Sequence, residues 1–348
     1  VVDVGGGTTD LSLIAVVEHD GALELHRVAV GEHILLGGDN MDLTLAHAVA
    51  QKLAGQGTRL DPWQIRALTH GCRTAKEALL SDPNLDTVPV VVPGRSSKLI
   101  GGTVRSELTR EEVTTIALEG FFPRVNAAER PATRARTALT QLGLPYAQDP
   151  AITKHLAAFL GRQAEATSDL EGFTREGASF LHPTAVLFNG GVFTAQPLVE
   201  RVMQVLNSWL EAEQAPAARL LEGADLDLAV AKGAAYYGYV RGGEGVRIRG
   251  GTAQAYYVGV ESAMPAVPGM EPPVNALCIA PFGMEEGSQA ELPPQEFGLI
   301  VGEPVRFRFF GSSVRRHDTV GTLLEYWDEE EIQELEAIEA NLPAEGRA

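Results

Sequence analysis

The sequence predicts an α/β fold followed by a small β-rich domain, and three observations support this. Residues 1–17 have the pattern of strand, glycine turn and strand, because valines lead into Gly5-Gly6-Gly7 and an apolar run follows. Apolar residues then recur at helical spacing in several segments as far as residue 240. After Arg241 the chain becomes rich in glycine and proline with short strand patterns, which predicts a domain boundary between residues 242 and 243.

Charge and cysteine content argue against several classes of function. The 348 residues carry a net charge of −18, which repels phosphate backbones and anionic lipid, so we expect no nucleic-acid and no membrane partner. No apolar run reaches the roughly 18–20 residues that cross a bilayer. Cys72 and Cys278 are isolated thiols without metal-ligand neighbours, which predicts core residues in a reducing compartment, the cytoplasm.

Two helices are predicted with well-defined starts. The first follows Gly37-Gly38-Asp39-Asn40, and its apolar face consists of Met41, Leu45, Val49 and Leu53. In the second, Asp61 is the N-cap, Pro62 occupies the first turn and Gln64 completes a capping box. The apolar stripe of this second helix consists of Ile65, Leu68, Cys72, Ala75 and Leu79. Both helices are therefore expected to pack one face against a core.

The remaining elements follow from hydrophobic period and turn residues. Strands are predicted at residues 87–92, 98–104, 184–188, 256–260, 277–280 and 305–310. Helices are predicted from about residue 109, within 123–180, through 199–210 and over 227–240. The acidic segment 328–340 is predicted to be a surface helix or disordered.

Residues 3–10 give the strongest indication of chemistry. Three glycines between buried strands let the backbone approach an anion, and their N–H groups can converge on phosphate oxygens. Asp3, at the strand end, can hold Mg²⁺ or its waters, and the Thr8 hydroxyl can bind a terminal phosphate or an attacking water. The alternative is a glycine-rich hairpin in which Asp and Thr serve the turn. The flanking Asp and Thr residues favour phosphate binding.

Three further features are weaker indications of a ligand site. Gly37-Gly38 before a helix places free N–H groups at a positive dipole end, although loops before capped helices often contain glycine. Gly190-Gly191, between a strand and a helix, is suited to holding a flat base or a phosphate, or is an ordinary tight turn. Lys76 is either a ligand contact or part of a solvated charged face on which Arg73 pairs with Glu77.

These segments occur in the order found in the actin-like ATPase superfamily, and they most resemble the DnaK-type (seventy-kilodalton heat-shock) chaperones. Residues 2–12 resemble the family's second phosphate motif, and Leu36-Gly37-Gly38-Asp39-Asn40-Met41-Asp42 resembles its Leu-Gly-Gly-Glu-Asp-Phe-Asp segment. Residues 72–81 resemble the helix that contacts adenosine. Leu187-Phe188-Asn189-Gly190-Gly191 resembles the adenosine turn, and residues 227–235 resemble the helix that follows. The resemblance covers residues 1–240 and extends less clearly to 250–310.

The resemblance implies the second lobe of an actin-like, ribonuclease H-like ATPase domain over residues 1–242, with residues 37–108 as an inserted subdomain. Residues 243–348 would form a chaperone substrate-binding β domain. The implied ligands are ATP, ADP and Mg²⁺. Asp3 and Thr8 are the implied catalytic residues, with Asp3 holding Mg²⁺ through water. The implied nucleotide contacts are Gly5, Gly6, Gly7, Gly38, Asp39, Lys76, Gly190, Gly191 and Asp227.

The sequence departs from the family pattern around the adenosine. Glu77 and Thr194 stand where two arginines of the family sandwich the adenine. Arg73 and Leu80 replace a glutamate and a serine that contact the ribose. Phe193 is a candidate to stack on the base instead. These departures put adenine affinity and nucleotide choice in question.

The first residues form a buried-type strand with no polar lead-in, whereas chain termini are usually frayed. We therefore expect an excised fragment, and the resemblance implies that it lacks the first lobe, with its phosphate loop and catalytic lysine. Phosphoryl transfer needs groups on both sides of the phosphates. We accordingly expect no ATP hydrolysis and only weak nucleotide affinity from this chain alone.

The resemblance implies a heat-shock-type chaperone that couples ATP binding and hydrolysis to polypeptide binding, with unfolded or extended polypeptides as clients and co-chaperones as partners. A degenerate scaffold that binds nucleotide weakly, a bacterial actin-like filament ATPase and a sugar-kinase-like enzyme remain open. Calorimetric titration with ATP and ADP tests the scaffold, and sedimentation with ATP tests the filament. Seven apolar residues of the β domain are candidates either to contact peptide or to fill the domain's own core: Tyr256, Tyr257, Val258, Leu277, Ile279, Phe307 and Phe309.

Overall fold

The computed structural model describes residues 1–19, 21–94, 103–132, 147–164, 177–246, 248–249, 251–262, 272–285, 287–294, 297–298, 301–328 and 331–342. The chain forms two compact units. Unit 1 consists of Val1–Ser12 and Gly31–Glu244, and unit 2 of Leu13–Val30 and Gly245–Ala348. Residues 13–30 are therefore grouped with the C-terminal part of the chain, which a single linear boundary at 242/243 does not describe.

The helices and strands occupy the following ranges. The helices are α1 (Gly38–Gly55), α2 (Pro62–Ser81), α3 (Arg110–Thr114), α4 (Ile152–Arg162), α5 (Gln196–Ala212) and α6 (Ala229–Arg241). The strands are β1 (Val2–Val4), β2 (Thr9–His19), β3 (Ala22–Val30), β4 (Thr87–Val92), β5 (Val104–Thr109), β6 (Ala185–Val186), β7 (Phe188–Asn189), β8 (Arg219–Leu220), β9 (Ile248–Arg249), β10 (Ala255–Glu261), β11 (Val274–Ala280), β12 (Pro304–Phe307), β13 (Phe309–Ser312), β14 (Leu323–Leu324), β15 (Gln333–Glu334) and β16 (Ile338–Asn341). A π-helical segment, Thr115–Phe121, continues α3, and a 3-10 turn, Gly191–Thr194, precedes α5. Within the ranges described, no helix is long and apolar enough to cross a bilayer.

In unit 1, β1 lies between two neighbouring strands. It pairs antiparallel with the start of β2, where Val2 is opposite Leu11, and parallel with β7, where Asp3 is opposite Asn189. The predicted strand, glycine turn and strand in residues 1–17 are therefore confirmed. Because β1 and β7 are parallel, their carboxyl ends lie at the same edge of the sheet, and so do the two glycine turns that follow them.

Helix α2 has the predicted start, whereas α1 begins earlier than predicted, at Gly38 with Gly37 as its N-cap. The predicted apolar faces are buried except for Ile65, which is half-buried. The Asp61 carboxylate accepts the N–H groups of Trp63 at 2.8 Å and Gln64 at 3.0 Å, and the Gln64 side chain accepts the Asp61 N–H at 3.1 Å. This capping box satisfies donors that the first helical turn leaves without partners. The buried residues of α1 include the four predicted ones and Asp42; those of α2 are Leu68, Cys72, Ala75, Lys76, Leu79 and Leu80.

The segments between α2 and α4 match the prediction only in part. β4 has the predicted range, and β5 begins at Val104, later than predicted; residues 98–102 lie outside the described residues. Thr109 caps α3, since its hydroxyl accepts the Glu112 N–H at 3.1 Å while the Glu112 carboxylate accepts the Thr109 N–H at 2.8 Å. Of the predicted helical region 123–180, the structure describes α4, and residues 133–146 and 165–176 lie outside it.

Helices α5 and α6 confirm the predicted helical segments but differ in packing. α5 buries the predicted face, which includes Val199, Val202, Leu206 and Leu210. In α6 no residue is buried among the described parts of the chain, and Val230 is 82% exposed. The small residues of α6, Ala231, Gly233, Ala234 and Ala235, are likewise exposed.

Unit 2 is mainly β structure. From Leu13 onward β2 pairs with β3, and β3 pairs in parallel with β9, Leu25 opposite Ile248. A second sheet has the order β14-β11-β10-β13-β15, and β12 pairs with β16. These strands include the segments predicted at 256–260, 277–280 and 305–310. The core of unit 2 contains Ala255, Tyr257, Ala276, Cys278, Phe310 and Ile332.

The prediction that residues 328–340 are helical or disordered is wrong for the residues described. β15 pairs with β13, and β16 pairs with β12. The Glu334 carboxylate also accepts two hydrogen bonds from the Arg308 guanidinium, both at 2.8 Å. Backbone pairing and this bidentate ion pair offset the repulsion between acidic residues that favoured the disordered interpretation.

Candidate functional site

The glycine loop, Gly5–Gly7, closes the turn between β1 and β2. The Gly5 N–H donates to the Thr8 carbonyl at 2.9 Å. Gly6 and Gly7 are exposed, and a side chain at Gly7 would meet nothing within 4 Å. Among the residues that the structure describes, the N–H groups of Gly6 and Gly7 have no hydrogen-bond partner. These two amides are therefore accessible to an anionic ligand, as phosphate binding at this loop requires.

The N-terminus of α1 is in contact with the glycine loop. The Gly38 N–H donates to the Gly5 carbonyl at 3.0 Å, and the Asp39 N–H donates to the Gly6 carbonyl at 2.8 Å. A Cβ at Gly37 would lie 2.5 Å from the Gly6 oxygen, so only glycine allows this approach. The prediction of free N–H groups behind Gly37-Gly38 is therefore wrong for Gly38 and Asp39, because the loop carbonyls occupy both donors.

Two adjacent threonines after the loop have different environments. Thr9 is fully buried, and its hydroxyl donates to the Leu36 carbonyl at 2.8 Å. Thr8 is half-buried, and within the described parts of the chain its hydroxyl has no partner. Thr9 therefore fastens β2 to the segment before α1, while Thr8 has a hydroxyl available for a ligand.

Asp3 lies against the second glycine turn. The Asn189 side-chain amide donates to Asp3 Oδ2 at 2.7 Å. Gly190 has a φ of +88°, and a Cβ there would lie 2.2 Å from the Val4 carbonyl oxygen and 2.7 Å from Asp3 Oδ1. Gly190 is therefore required both by its backbone conformation and by its close approach to β1.

One cleft of about 150 Å³ lies between α1, α2 and the turn before α5. Its lining residues are Gly6, Gly38, Asp39, Met41, Asp42, Arg73, Lys76, Glu77, Leu80, Ser81, Gly191, Val192, Thr194, Ala195 and Leu198. Five of the nucleotide contacts predicted from the sequence are among them: Gly6, Gly38, Asp39, Lys76 and Gly191. Asp3, Gly5, Gly7, Thr8 and Gly190 lie outside the lining. Asp227 is also outside it and is exposed in the turn before α6.

Asp42 and two cations form a network at one wall of the cleft. Lys76 Nζ lies 2.7 Å from Asp42 Oδ1, and Arg73 Nε donates to Asp42 Oδ2 at 2.8 Å. Asp42 is 1% exposed and Lys76 is 7% exposed. Arg73 also contacts the half-exposed Asp39 through its second nitrogen. The alternative of a solvated charged face is therefore wrong for Lys76 and Arg73, whose cations pair with Asp42 of α1.

The protonation states at this wall follow from burial and from Asp42. Burial first, and then the charges of Asp42 and Glu112, raises the pKa of the Cys72 thiol to about 12. The hydrogen bond to Asp42 raises the pKa of the Arg73 guanidinium. Cys72 is thus a neutral core residue, as predicted, and Arg73 is a permanent cation.

Of the residues that depart from the family pattern, several line the cleft, whereas Phe193 is buried in the core. Glu77, Thr194 and Leu80 line the cleft. Phe193 is 4% exposed and packs its ring against those of Phe188, at 4.5 Å between centroids, and Phe122, at 6.2 Å. The interpretation of Phe193 as a stacking partner for a base is therefore wrong, because the side chain is part of the core.

Asp42 lines the cleft but was not among the site residues predicted from the sequence. A signal was present, because an aspartate occurs beside Met41 on the apolar face of a predicted helix. A carboxylate in such a place requires a cationic or hydrogen-bonding partner. What the spacing could not supply was the identity of that partner.

Comparisons with known proteins identify relatives of this chain. The family model described as Hsp70 protein matches residues 1–134. A chaperone protein HscA homolog of Burkholderia pseudomallei (strain 668) is 26% identical over 222 residues, which cover 58% of this chain and 34% of the relative. The HscA homolog of Burkholderia mallei (strain SAVP1) gives the same identity and coverage. The chain thus spans about a third of the length of these curated relatives. Residues 1–134 thus carry the similarity to the Hsp70 family model.

Proposed function

We propose that this chain holds a nucleotide in the cleft between α1, α2 and the Gly190-Gly191 turn, as part of an ATP-dependent chaperone of the Hsp70 type. The observation that carries the proposal is that motifs far apart in sequence meet at one place. The glycine loop contacts α1, Lys76 reaches α1 from α2, and Gly191 lies on the opposite wall. This clustering favours a ligand site over independent turns.

In this proposal the phosphates lie at the glycine loop and the nucleoside lies in the cleft. Gly6 and Gly7 offer backbone amides while the Gly5 N–H closes the turn, and the unpartnered Thr8 hydroxyl contacts the terminal phosphate or the attacking water. Gly38, Asp39, Lys76 and Gly191 surround the nucleoside, with Gly190 shaping the turn. Asp227 lies outside the cleft, exposed in the turn before α6, and would contact the nucleoside from beyond the lining.

The residues present are compatible with Mg²⁺ as a second ligand. In the described residues, no three His, Cys, Asp or Glu side chains cluster as a metal site. Mg²⁺ commonly binds through one or two carboxylates together with substrate phosphates and retained waters. Asp3, at the end of β1 beside the glycine loop, would be that carboxylate and would act through water. The ion would neutralise phosphate charge when bound.

Titration with ADP and with ATP tests the nucleotide site. Gly191→Val is expected to weaken binding about tenfold or more, because Gly191 lines the cleft and the added side chain would occupy space that the nucleoside needs. Thermal stability is expected to change little, since a Cβ at Gly191 meets nothing within 4 Å. Isothermal calorimetry and a thermal melt provide the two measurements. Absence of saturable binding by the folded wild-type chain at millimolar nucleotide would reject the site.

The proposed clients are unfolded or extended polypeptides bound by unit 2, with co-chaperones as further partners of the whole protein. Along β10 the buried Ala255 and Tyr257 alternate with the half-buried Tyr256 and Val258. Phe309 of β13 is directly opposite Val258 and is also half-buried. On the side away from its core the sheet therefore has partly exposed apolar side chains beside the buried Leu277, and these would contact an extended peptide.

Fluorescence anisotropy with labelled apolar heptapeptides tests this face. Phe309→Ser is expected to reduce peptide affinity several-fold while the chain remains folded, because it removes apolar contact area without opening the core. The neighbouring Phe310→Ser is the matched control: Phe310 is 3% exposed and belongs to the core, so this change should unfold unit 2. Unchanged peptide affinity in folded Phe309→Ser would remove this face as the peptide site.

One observation favours a second candidate, a scaffold that binds nucleotide weakly. The cleft is lined by Glu77 and Thr194 in place of the cationic side chains that the family resemblance implies around adenine, and Phe193 is unavailable for stacking. Because this chain alone is expected to bind nucleotide weakly in either case, titration with ATP and ADP of a chain that also includes the first lobe is the measurement that distinguishes the two candidates. As to location, we propose the cytoplasm on the ground that Cys72 and Cys278 are free and buried.

A further inference from the structure

We infer that Asn189 is a positioning residue that orients the Asp3 carboxylate for a divalent cation; this inference rests on the proposed nucleotide site. The two residues are opposite each other in the parallel pairing of β1 and β7. The Asn189 amide nitrogen donates to Asp3 Oδ2 at 2.7 Å. Asn189 would thus fix the direction of a carboxylate that the chain places beside the glycine loop.

The backbone around Asn189 holds this hydrogen bond in place. The Val2 N–H donates to the Leu187 carbonyl at 2.9 Å, which secures the register of the two strands. Directly after Asn189, the positive φ of Gly190 turns the chain so closely over β1 that its Cβ position lies 2.7 Å from Asp3 Oδ1. One carboxylate oxygen is therefore held by the amide, and the other lies against the glycine turn.

The residue type at position 189 is informative. β6 and β7 are apolar on either side, with Val186 and Phe188 buried, and a branched apolar residue would suit the end of such a strand. Asparagine is disfavoured within strands but common next to turns, and at this position its side chain also donates a hydrogen bond to Asp3.

The charge around Asp3 differs from that around Asp42. Lys76 and Arg73 balance the negative charge of Asp42, so this carboxylate is not available to bind a cation. Among the residues described, Asp3 has the neutral amide of Asn189 as its side-chain partner and no cationic partner. A neutral donor orients the carboxylate without cancelling its charge, which is the arrangement that a cation or its bound water requires. Such indirect partners typically change metal affinity 10- to 100-fold when they are replaced.

The test measures how much Mg²⁺ increases the affinity of the full 348-residue chain for a fluorescent ADP analogue. Asn189→Leu removes the donor, and we expect it to reduce the Mg²⁺-dependent increase about tenfold or more while affinity in EDTA is unchanged. Asn84→Leu is the matched control, because the Asn84 amide donates to the exposed Asp82 carboxylate at 3.1 Å and lies outside the cleft. If Asn189→Leu fails to fold, Asn189→Val removes the same donor with a residue that favours strands.

A double-mutant cycle with Asp3→Ala shows whether Asn189 acts through Asp3. We expect Asn189→Leu to have no further effect on the Mg²⁺ response once Asp3 is alanine. Equal loss of affinity with Mg²⁺ and with EDTA would show a merely structural role and overturn the inference, and so would an unchanged Mg²⁺ response. Nucleotide binding without any Mg²⁺ response in the wild type would also overturn it but leave the proposed site standing. Absence of nucleotide binding in both conditions would reject both.

Discussion

Asp42→Ala is expected to lower the free energy of unfolding of unit 1 by about 3–5 kcal/mol, the typical cost of removing one partner from a buried ion pair. The reason is that Lys76, only 7% exposed, would be left without the carboxylate 2.7 Å from its ammonium. Arg73 would lose a partner at the same time, although its partial exposure lets water replace part of that contact. Urea denaturation followed by circular dichroism measures the change.

Two companion variants make the Asp42 experiment specific. Asp39→Ala removes the other carboxylate that Arg73 contacts, but Asp39 is 58% exposed, so the expected loss is at most about 1 kcal/mol. The double variant Asp42→Leu with Lys76→Met replaces both buried charges by apolar groups and is expected to recover most of the lost stability. Equal destabilisation by Asp42→Ala and Asp39→Ala would contradict the assignment of Asp42 as the buried centre of the network.

Gly190→Ala is expected to destabilise unit 1 and to abolish nucleotide binding. A residue with a Cβ that adopts the positive φ of Gly190 lowers the free energy of unfolding by about 1–3 kcal/mol through backbone strain alone. The added Cβ would also lie 2.2 Å from the Val4 carbonyl oxygen, so β1 and β7 would have to separate. Thermal unfolding and ADP titration of the same preparation measure the two effects.

Gly191→Ala is the matched control for Gly190→Ala. A Cβ at Gly191 meets nothing within 4 Å, and the expected change in stability is within about 0.5 kcal/mol, as for an ordinary surface substitution. A Gly190→Ala variant as stable as Gly191→Ala would show that the turn relaxes without strain, and the close approach of Gly190 to β1 would then have no structural importance.

Local signals in the sequence were sufficient for much of the fold. The Asp61 capping box and the spacing of apolar residues fixed the start and the buried face of α2, because both depend on neighbours within a few residues. The turn at the glycine loop was also predictable, since three glycines lie between two apolar strands. These features require no knowledge of the tertiary partners.

Features that depend on distant partners were not predictable in the same way. Spacing showed that Lys76 lies on α2, but only the packing of α1 against α2 shows that its partner is Asp42. An aromatic residue in a loop is compatible with stacking on a ligand or with burial, and the rings of Phe122 and Phe188 decide for burial of Phe193. In the acidic segment, cross-strand pairing overrode the local preference for disorder.

The two hydrogen bonds from the start of α1 to the glycine loop have a mechanical consequence. The Gly38 N–H donates to the Gly5 carbonyl at 3.0 Å, and the Asp39 N–H donates to the Gly6 carbonyl at 2.8 Å. The loop therefore cannot change shape independently: a ligand that rotates either peptide group must break a bond or pull the first turn of α1 with it. Because the Asp42 network joins α1 to α2, we expect a displacement of the loop to shift both helices.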